Sequence, residues 1–176
     1  MKILTVYFSR KGNNYCNGRV RFLERGNTDI ASEAVQCAAG GGRFEIVPDK
    51  TYPSNYYACT VEAQAELRLS RKVPVKAYKD DLETYDLVFI GYPNWWGTFP
   101  MAVRTFLAHY DWTGKTAAPF CTNEGSGLGR SERDLAEVCA GARLLPGLAI
   151  HGAEVQDKEA EIAAWARRCV KETEEP

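Results

Sequence analysis

The sequence predicts a single α/β domain in which a five-stranded parallel sheet lies between two layers of helices, a three-layer α/β/α sandwich. Five short apolar runs recur along the chain, rich in β-branched and aromatic residues as in strands that are covered on both faces. Each run is followed by a stretch with apolar residues at helical spacing. Strands and helices that alternate in this way form a parallel sheet with helices on both faces. We therefore assign residues 1–170 to one domain and expect the acidic tail, 171–176, to be frayed.

An unusually long connection separates the first strand from the first helix. The strand, 3–8, is almost continuously apolar. The helix starts near 26–28, where apolar residues at helical spacing begin, and it ends at three consecutive glycines that allow a C-cap. Between the two elements, an Asn-Gly pair at 17–18 is a strong signal for a two-residue hairpin turn. The sequence therefore predicts a small β-hairpin inserted at about 13–25.

The other elements continue the alternation. Four further strands are predicted at 43–47, 87–90, 116–120 and 144–150. Four further helices are predicted at 54–70, at 100–109, from 131 and from 157. Pro146 and Gly147 interrupt the last strand, which favours a position at the sheet edge. The helix at 54–70 is expected to use Ser54 as its N-cap and to bury a face made of Tyr57, Val61, Ala65 and Leu69.

Composition and charge limit the classes of partner. The net charge of −1 provides no field that attracts nucleic acid or an anionic membrane surface. No apolar run reaches the roughly 20 residues of a membrane-spanning helix, and the apolar start of the chain is too short for a signal peptide. We therefore expect a cytoplasmic protein without a nucleic acid or membrane partner. The six cysteines show no C-x-x-C pair and no histidine at ligand spacing, which predicts free thiols and no metal site.

The connection from the first strand to the first helix favours an anion. Backbone N–H groups at a helix N-terminus and the positive end of the helix dipole attract phosphate. Ser9, which follows the strand, and Thr28, at the start of the helix, add hydroxyl donors. The first hypothesis is therefore a phosphate-bearing ligand above the first strand. The alternative is that Asn27 or Thr28 only caps the helix.

Two more loops at the same edge of the predicted sheet have an unusual composition. In sheets of this kind, ligands bind outside the carboxyl ends of the strands. The loop after the third strand comprises Pro93, Asn94, Trp95, Trp96 and Gly97. The loop after the fourth strand is small and polar, and comprises Thr122, Asn123, Glu124, Gly125, Ser126 and Gly127. A ligand that uses all three loops has a phosphate, a flat aromatic ring and a polar ring edge, which describes flavin mononucleotide (FMN).

The two loops predict different contacts with the flavin ring. Trp95 or Trp96 is expected to stack on the isoalloxazine, which contributes about 1 kcal/mol beyond the buried area. The alternative places both tryptophans in the core between helix and sheet. Backbone groups of 94–97 are expected to reach ring atoms N5 and O4, and 122–127 to meet the pyrimidine edge. A peptide beside Gly97 could flip with the redox state, because glycine tolerates either backbone conformation.

Three stretches, "YFSRKGNN" with the delayed "GNTDIA", "YPNWWGTFPMAVRTFL" and "FCTNEGSGLGRS", are together similar to the flavodoxin family, in the subgroup whose third-strand loop reads P-x-W-W-G. The resemblance runs over 2 to about 168 and implies a flavodoxin-like fold with strand order 2-1-3-4-5 and FMN as the cofactor. The family's phosphate loop is commonly the compact S-x-T-G-N-T. Here Ser9 carries one end and 26–28 the other, with the hairpin between them. Arg10 and Asn14, near the start of the insertion, are further candidate ligands.

Three functions remain open at this point. The resemblance implies an electron-transfer protein whose bound FMN serves a redox partner protein or a small-molecule electron acceptor, without a catalytic acid or base from the chain. An FMN-dependent NAD(P)H:quinone oxidoreductase would use the same loops. The third reading is a non-redox or vestigial module that binds a phosphate ligand. Familiar flavodoxins are strongly acidic and this chain is nearly neutral, so the resemblance implies FMN more firmly than any particular partner.

Overall fold

The central sheet is built from six parallel strands. The computed structural model describes residues 1–175. The strands of the sheet are β1 (Ile3–Tyr7), β4 (Gly42–Glu45), β5 (Leu87–Pro93), β6 (Thr116–Asn123), β7 (Arg143–Leu144) and β8 (Leu148–His151). β1 lies between β4 and β5, β5 lies beside β6, and β6 pairs with both β7 and β8. Two further strands, β2 (Gly12–Cys16) and β3 (Arg19–Leu23), form a separate antiparallel hairpin.

Helices cover both faces of this sheet. They are α1 (Asn27–Ala39), α2 (Tyr56–Arg68), α3 (Met101–Leu107), α4 (Ser131–Val138) and α5 (Glu159–Glu174). α1 and α5 form the core on one face, and α3 and α4 contribute to the core on the other. Leu87 and Phe89 of β5 face the first core, while Val88 and Ile90 face the second. Because both faces of β5 are buried, its sequence is continuously apolar, and the predicted parallel sheet with helices on both faces is confirmed.

The predicted five-strand order, 2-1-3-4-5, needs a correction. The observed order is β4-β1-β5-β6-β7, with β8 also paired to β6. Pro146 and Gly147 separate β7 from β8, since proline has no N–H to donate to the ladder. The predicted last strand is therefore two short pieces that follow β6 one after the other. When the hairpin strands are left out of the count, the first four positions keep the order 2-1-3-4 and the fifth is divided.

The hairpin stands apart from the sheet and close to the carboxyl end of β1. Asn17 and Gly18 both have positive φ, 52° and 80°, as in the two-residue turns that match strand twist. The hairpin spans 12–23, slightly earlier than the predicted insertion at 13–25. Most of β3 is exposed, and the Phe22 side chain is 71% exposed.

Helix α2 is turned differently from the prediction. Its N-cap is Asn55 and not Ser54, because the Asn55 side-chain oxygen accepts the N–H of Ala58. The face expected in the core is largely outside: Tyr57, Val61 and Leu69 are each more than 60% exposed. The buried residues of α2 are Cys59, Ala63 and Glu66. Glu66, on this inward face, forms a buried ion pair that is described below. Because a charged residue lies on the buried side, the spacing of apolar residues in the sequence predicted the wrong face of α2.

The end of the chain also differs from expectation. Helix α5 continues to Glu174, so 171–174 of the predicted frayed tail are helical, and Pro176 lies outside the described residues. Within residues 1–175, no helix combines the length and apolarity that crossing a membrane requires.

Candidate functional site

A cleft of about 510 Å³ opens at the carboxyl ends of β1, β5 and β6. It brings together residues from all three loops that the sequence singled out. The predicted residues that line it are Arg10, Asn14, Asn27, Thr28, Pro93, Asn94, Trp95, Trp96, Thr122, Asn123, Glu124 and Ser126. Thr122 and Asn123 belong to the end of β6, which is longer than predicted, and not to the loop.

Four predicted residues do not line the cleft. Ser9 lines a neighbouring pocket, and its hydroxyl accepts the N–H of Asp29 at 3.1 Å. Gly97 lies in the turn that presents the tryptophans. The N–H groups of Gly125 and Gly127 donate to the side-chain oxygen of Asn123. These four residues shape the walls of the cleft and do not face it.

The N-terminus of α1 points free donors toward the cleft. Its N-cap is Gly26, and the cap comes from the distant hydroxyl of Ser9, so neither Asn27 nor Thr28 caps the helix with its side chain. Among residues 1–175, no group accepts a hydrogen bond from the N–H of Asn27 or Thr28. The Thr28 hydroxyl shares a hydrogen bond of 2.8 Å with that of Thr122, which joins α1 to β6. Two N–H groups and the helix dipole are therefore available to an anion.

Close backbone packing creates this arrangement. A Cβ placed on Gly26 would lie 2.2 Å from the Ser9 hydroxyl and 2.6 Å from the carbonyl oxygen of Arg10. Such separations are too short for any side chain. The loop after β1 can therefore rest directly on the start of α1 only because residue 26 is glycine.

Arg10 supplies a positive charge beside these donors. Its guanidinium donates to the carbonyl oxygens of Asn13 and Pro53, and forms no salt bridge in the part of the chain that the structure describes. The side chain of Asn13 donates to the carbonyl of Ser54 at 3.0 Å. Arg10 thus clamps the hairpin to the segment before α2 while its charge stays uncompensated. The Asn14 side chain bonds to nearby carbonyls and stabilises the same loop.

The two tryptophans lie on a tight turn. Trp96 and Gly97 both have positive φ, 58° and 84°, and Trp95 and Thr98 pair through their backbones, the pattern of a type I′ turn. The N–H of Gly97 donates to the Asn94 side chain at 2.9 Å. The carbonyl of Gly97 accepts the N–H of Arg130. A flip of the Trp96–Gly97 peptide, as predicted, would have to break the bond to Asn94.

Both tryptophan rings line the cleft, but Trp95 also packs against the main core while Trp96 lies outside it. Trp95 is half-buried, with the rings of Phe8 and Tyr52 each edge-on at 5.2 Å. Trp96 is 46% exposed, and its indole N–H donates to the carbonyl of Thr60 in α2. The alternative that placed both rings between helix and sheet is therefore not what the structure shows.

The loop after β6 is tied to both sides of the cleft. The Glu124 carboxylate accepts the N–H of Asn17 at 2.8 Å and that of Ala153 at 3.0 Å. It therefore bonds the hairpin tip to the segment after β8. Cys121, next to this loop, is fully buried, and burial raises the pKa of its thiol to about 12. Cys121 fills space behind the cleft and does not line it.

The sequence did not reveal one wall of the cleft. This wall comes from the hairpin, from α2 and from the segment after β8, and comprises Tyr15, Tyr56, Tyr57, Cys59, Thr60, Ala63 and Gly152. Tyr15 stacks on Tyr56 with their ring centres 6.0 Å apart. The two adjacent tyrosines at the start of α2 were a possible signal of this wall, but the apolar spacing in the sequence assigned Tyr57 to the core face of the helix.

Among residues 1–175, no His, Cys, Asp or Glu cluster has an arrangement that could hold a metal ion.

Known proteins share this architecture. No curated protein matches the chain. A candidate flavoprotein of Bacteroides eggerthii DSM 20697 is 29% identical with a TM-score of 0.75, over 96% of this chain and 97% of that one. One from Bacteroides uniformis ATCC 8492 is 25% identical with a TM-score of 0.73, over 94% and 97%. A Lactobacillus acidophilus NCFM flavoprotein in complex with FMN has the same fold at 20% identity and a TM-score of 0.63, over 89% and 97%. Residues 20–169 match the family model described as Flavodoxin, and the chain therefore belongs to the flavodoxin family.

Proposed function

We propose that the protein binds FMN in this cleft and acts as a flavodoxin-like electron-transfer protein. One observation carries the proposal: three surfaces of different chemistry meet in a single cleft. They are a cationic helix N-terminus, an aromatic turn and a polar loop, and FMN has a phosphate, a flat ring and a polar ring edge to match them. The flavoprotein of Lactobacillus acidophilus was solved in complex with FMN, which supports the same ligand here.

The phosphate fits the start of α1. The N–H groups of Asn27 and Thr28 have no acceptor among the described residues, and the uncompensated guanidinium of Arg10 lines the same cleft. Charge-assisted hydrogen bonds to a phosphate are stronger than neutral ones. These three groups would therefore hold the phosphate, while Ser9 and Gly26 keep the loop in place behind them.

The ring system fits between the tryptophan turn and the loop after β6. Trp95 and Trp96 provide aromatic surface, and Thr122, Asn123 and Ser126 line the cleft near them as polar partners for a ring edge. Bound FMN supplies the electron storage, and the chain tunes it. The aromatic walls would shield a bound ring from water, and the hydrogen bonds of Gly97 fix the turn that carries the tryptophans.

A redox partner protein or a small-molecule acceptor would receive the electrons. We also propose a cytoplasmic location, because all six cysteines are free thiols, as is usual in a reducing compartment.

A second candidate function is FMN-dependent NAD(P)H:quinone oxidoreductase. One observation favours it: Tyr15, Tyr56 and Tyr57 add aromatic surface to the cleft beyond the tryptophan turn, on which a nicotinamide or quinone ring could stack.

A visible spectrum of the purified protein with added FMN, followed by NADPH without air, tests these functions. A bound flavin that NADPH leaves oxidised, and that a protein reductase then reduces, supports the electron carrier. A bound flavin that NADPH alone bleaches identifies the oxidoreductase instead. Protein that takes up no FMN contradicts both and leaves the module that binds another phosphate ligand.

A further inference from the structure

A buried carboxylate holds α2 against the connection that precedes it. The Glu66 side chain is only 4% exposed. One of its oxygens lies 2.5 Å from the ammonium of Lys50, and the other accepts the hydroxyl of Tyr52 at 2.7 Å. A buried carboxylate is costly unless it is paired and hydrogen-bonded, and both of its partners come from outside the helix. The pairing therefore fixes the position of the segment that carries Lys50 and Tyr52.

Tyr52, in this segment, also contacts Trp95, which lines the cleft. The Tyr52 ring meets Trp95 edge-on at 5.2 Å, with 88° between the ring planes, and the ammonium of Lys50 lies 4.4 Å from the centre of the Tyr52 ring. Edge-to-face contacts of this kind have a preferred geometry. Tyr52 lies outside helix and strand, and its bond to Glu66 is the only side-chain hydrogen bond it makes among residues 1–175. Burial and the Glu66 carboxylate raise the pKa of Tyr52, so its hydroxyl remains a donor.

Two aromatic rings and the main core contact the Trp95 ring. Its backbone is fixed by the pairing with Thr98, and among residues 1–175 the aromatic neighbours of its ring are Phe8 and Tyr52. Phe8 follows β1 and is buried in the core, so its position does not depend on α2. Tyr52 is the neighbour whose place is set by the Glu66 pairing.

We propose that Glu66, acting through Tyr52, positions the Trp95 ring against the bound flavin and so contributes to FMN affinity and to the flavin's reduction potential. Glu66 and Tyr52 are positioning residues, because neither lines the cleft. The inference rests on the proposed FMN site.

Tyr52→Phe and Glu66→Gln test the proposal in the full chain, with Glu62→Gln as the matched control. Glu62 also pairs with Lys50, but it is 35% exposed and has no bond to Tyr52. We expect both test variants to bind FMN roughly threefold to tenfold more weakly, to shift the flavin's potential, and to change the tryptophan bands in the near-ultraviolet circular dichroism of the FMN-free protein, which are identified with Trp95→Phe. Glu62→Gln should leave all three unchanged.

The outcomes separate this inference from the proposed function. Wild-type protein that binds no FMN overturns both the proposed function and the flavin part of the inference. Wild-type protein that binds FMN, with test variants that match Glu62→Gln in affinity, potential and dichroism, overturns the inference alone. If Glu66→Gln fails to fold, Tyr52→Phe still decides, because it removes one hydroxyl and keeps the ring.

Discussion

Replacing Arg10 by methionine should weaken the binding of FMN much more than the binding of riboflavin, which has no phosphate. The guanidinium lines the cleft, and no carboxylate of residues 1–175 pairs with it. A hydrogen bond to a charged group contributes about 1.5 to 3 kcal/mol, which corresponds to roughly 10- to 150-fold in Kd. Because Arg10 is partly exposed and salt screens its charge, we expect the loss of FMN affinity to lie near the lower limit of this range. Isothermal titration of both ligands to both proteins measures it.

The design must separate this charge from the clamp that Arg10 also forms. Methionine removes the bonds to the carbonyls of Asn13 and Pro53, and a looser hairpin would weaken both ligands by the same factor. Asn13→Ala removes the neighbouring bond to Ser54 without a change of charge and serves as the control. If Arg10→Met lowered the affinities for FMN and riboflavin equally, as Asn13→Ala should, Arg10 would only hold the hairpin and the phosphate assignment would be wrong.

Three further predictions concern glycines and buried thiols. Gly26→Ala should destabilise the fold by about 1 to 3 kcal/mol in urea titrations and abolish FMN uptake, because a methyl group overlaps the loop after β1. Gly42→Ala, whose Cβ would make only an ordinary contact at 3.7 Å, should do neither. Gly97→Ala should shift the flavin's potential in a spectroelectrochemical titration. Gly114→Ala, with a similar φ of 75° before β6, should carry the same strain and leave the potential unchanged. Since burial raises the pKa of Cys121, Cys139 and Cys169 from 9.0 to about 12, the folded state keeps protons that the unfolded chain loses, so the urea midpoint should fall as pH rises from 9 toward 12. A midpoint that did not change over that range would contradict this.

The sequence predicted the parts of the fold that depend on local pattern. β1 and β5 are covered on both faces, so their apolar runs identify them, and Asn17 and Gly18 have the backbone freedom that a hairpin turn requires. The turn with Trp95 and Trp96 was recognised because two large rings in a Pro/Gly loop cannot both enter one core.

Long-range interactions explain what the sequence did not reveal. The face of α2 was misjudged because its inward side holds Glu66, whose partners Lys50 and Tyr52 lie 16 and 14 residues earlier in the chain. The spacing of apolar residues along a helix contains no information about a pairing with residues outside that helix. The tyrosine wall of the cleft was missed for the same reason, since Tyr15 and Tyr56 meet only after the hairpin folds against α2.

The hydrogen bonds of Glu124 also determine when the cleft can be completed while the chain is being synthesised. They join Asn17, 107 residues earlier in the chain, to Ala153, 29 residues later. The hairpin leaves the ribosome early, but its tip can be fixed only after residues 124 and 153 have emerged. Ribosome-bound chains that stop before β8 should therefore bind no cofactor, and a flavin captured by the nascent protein would report that nearly the whole domain has been made.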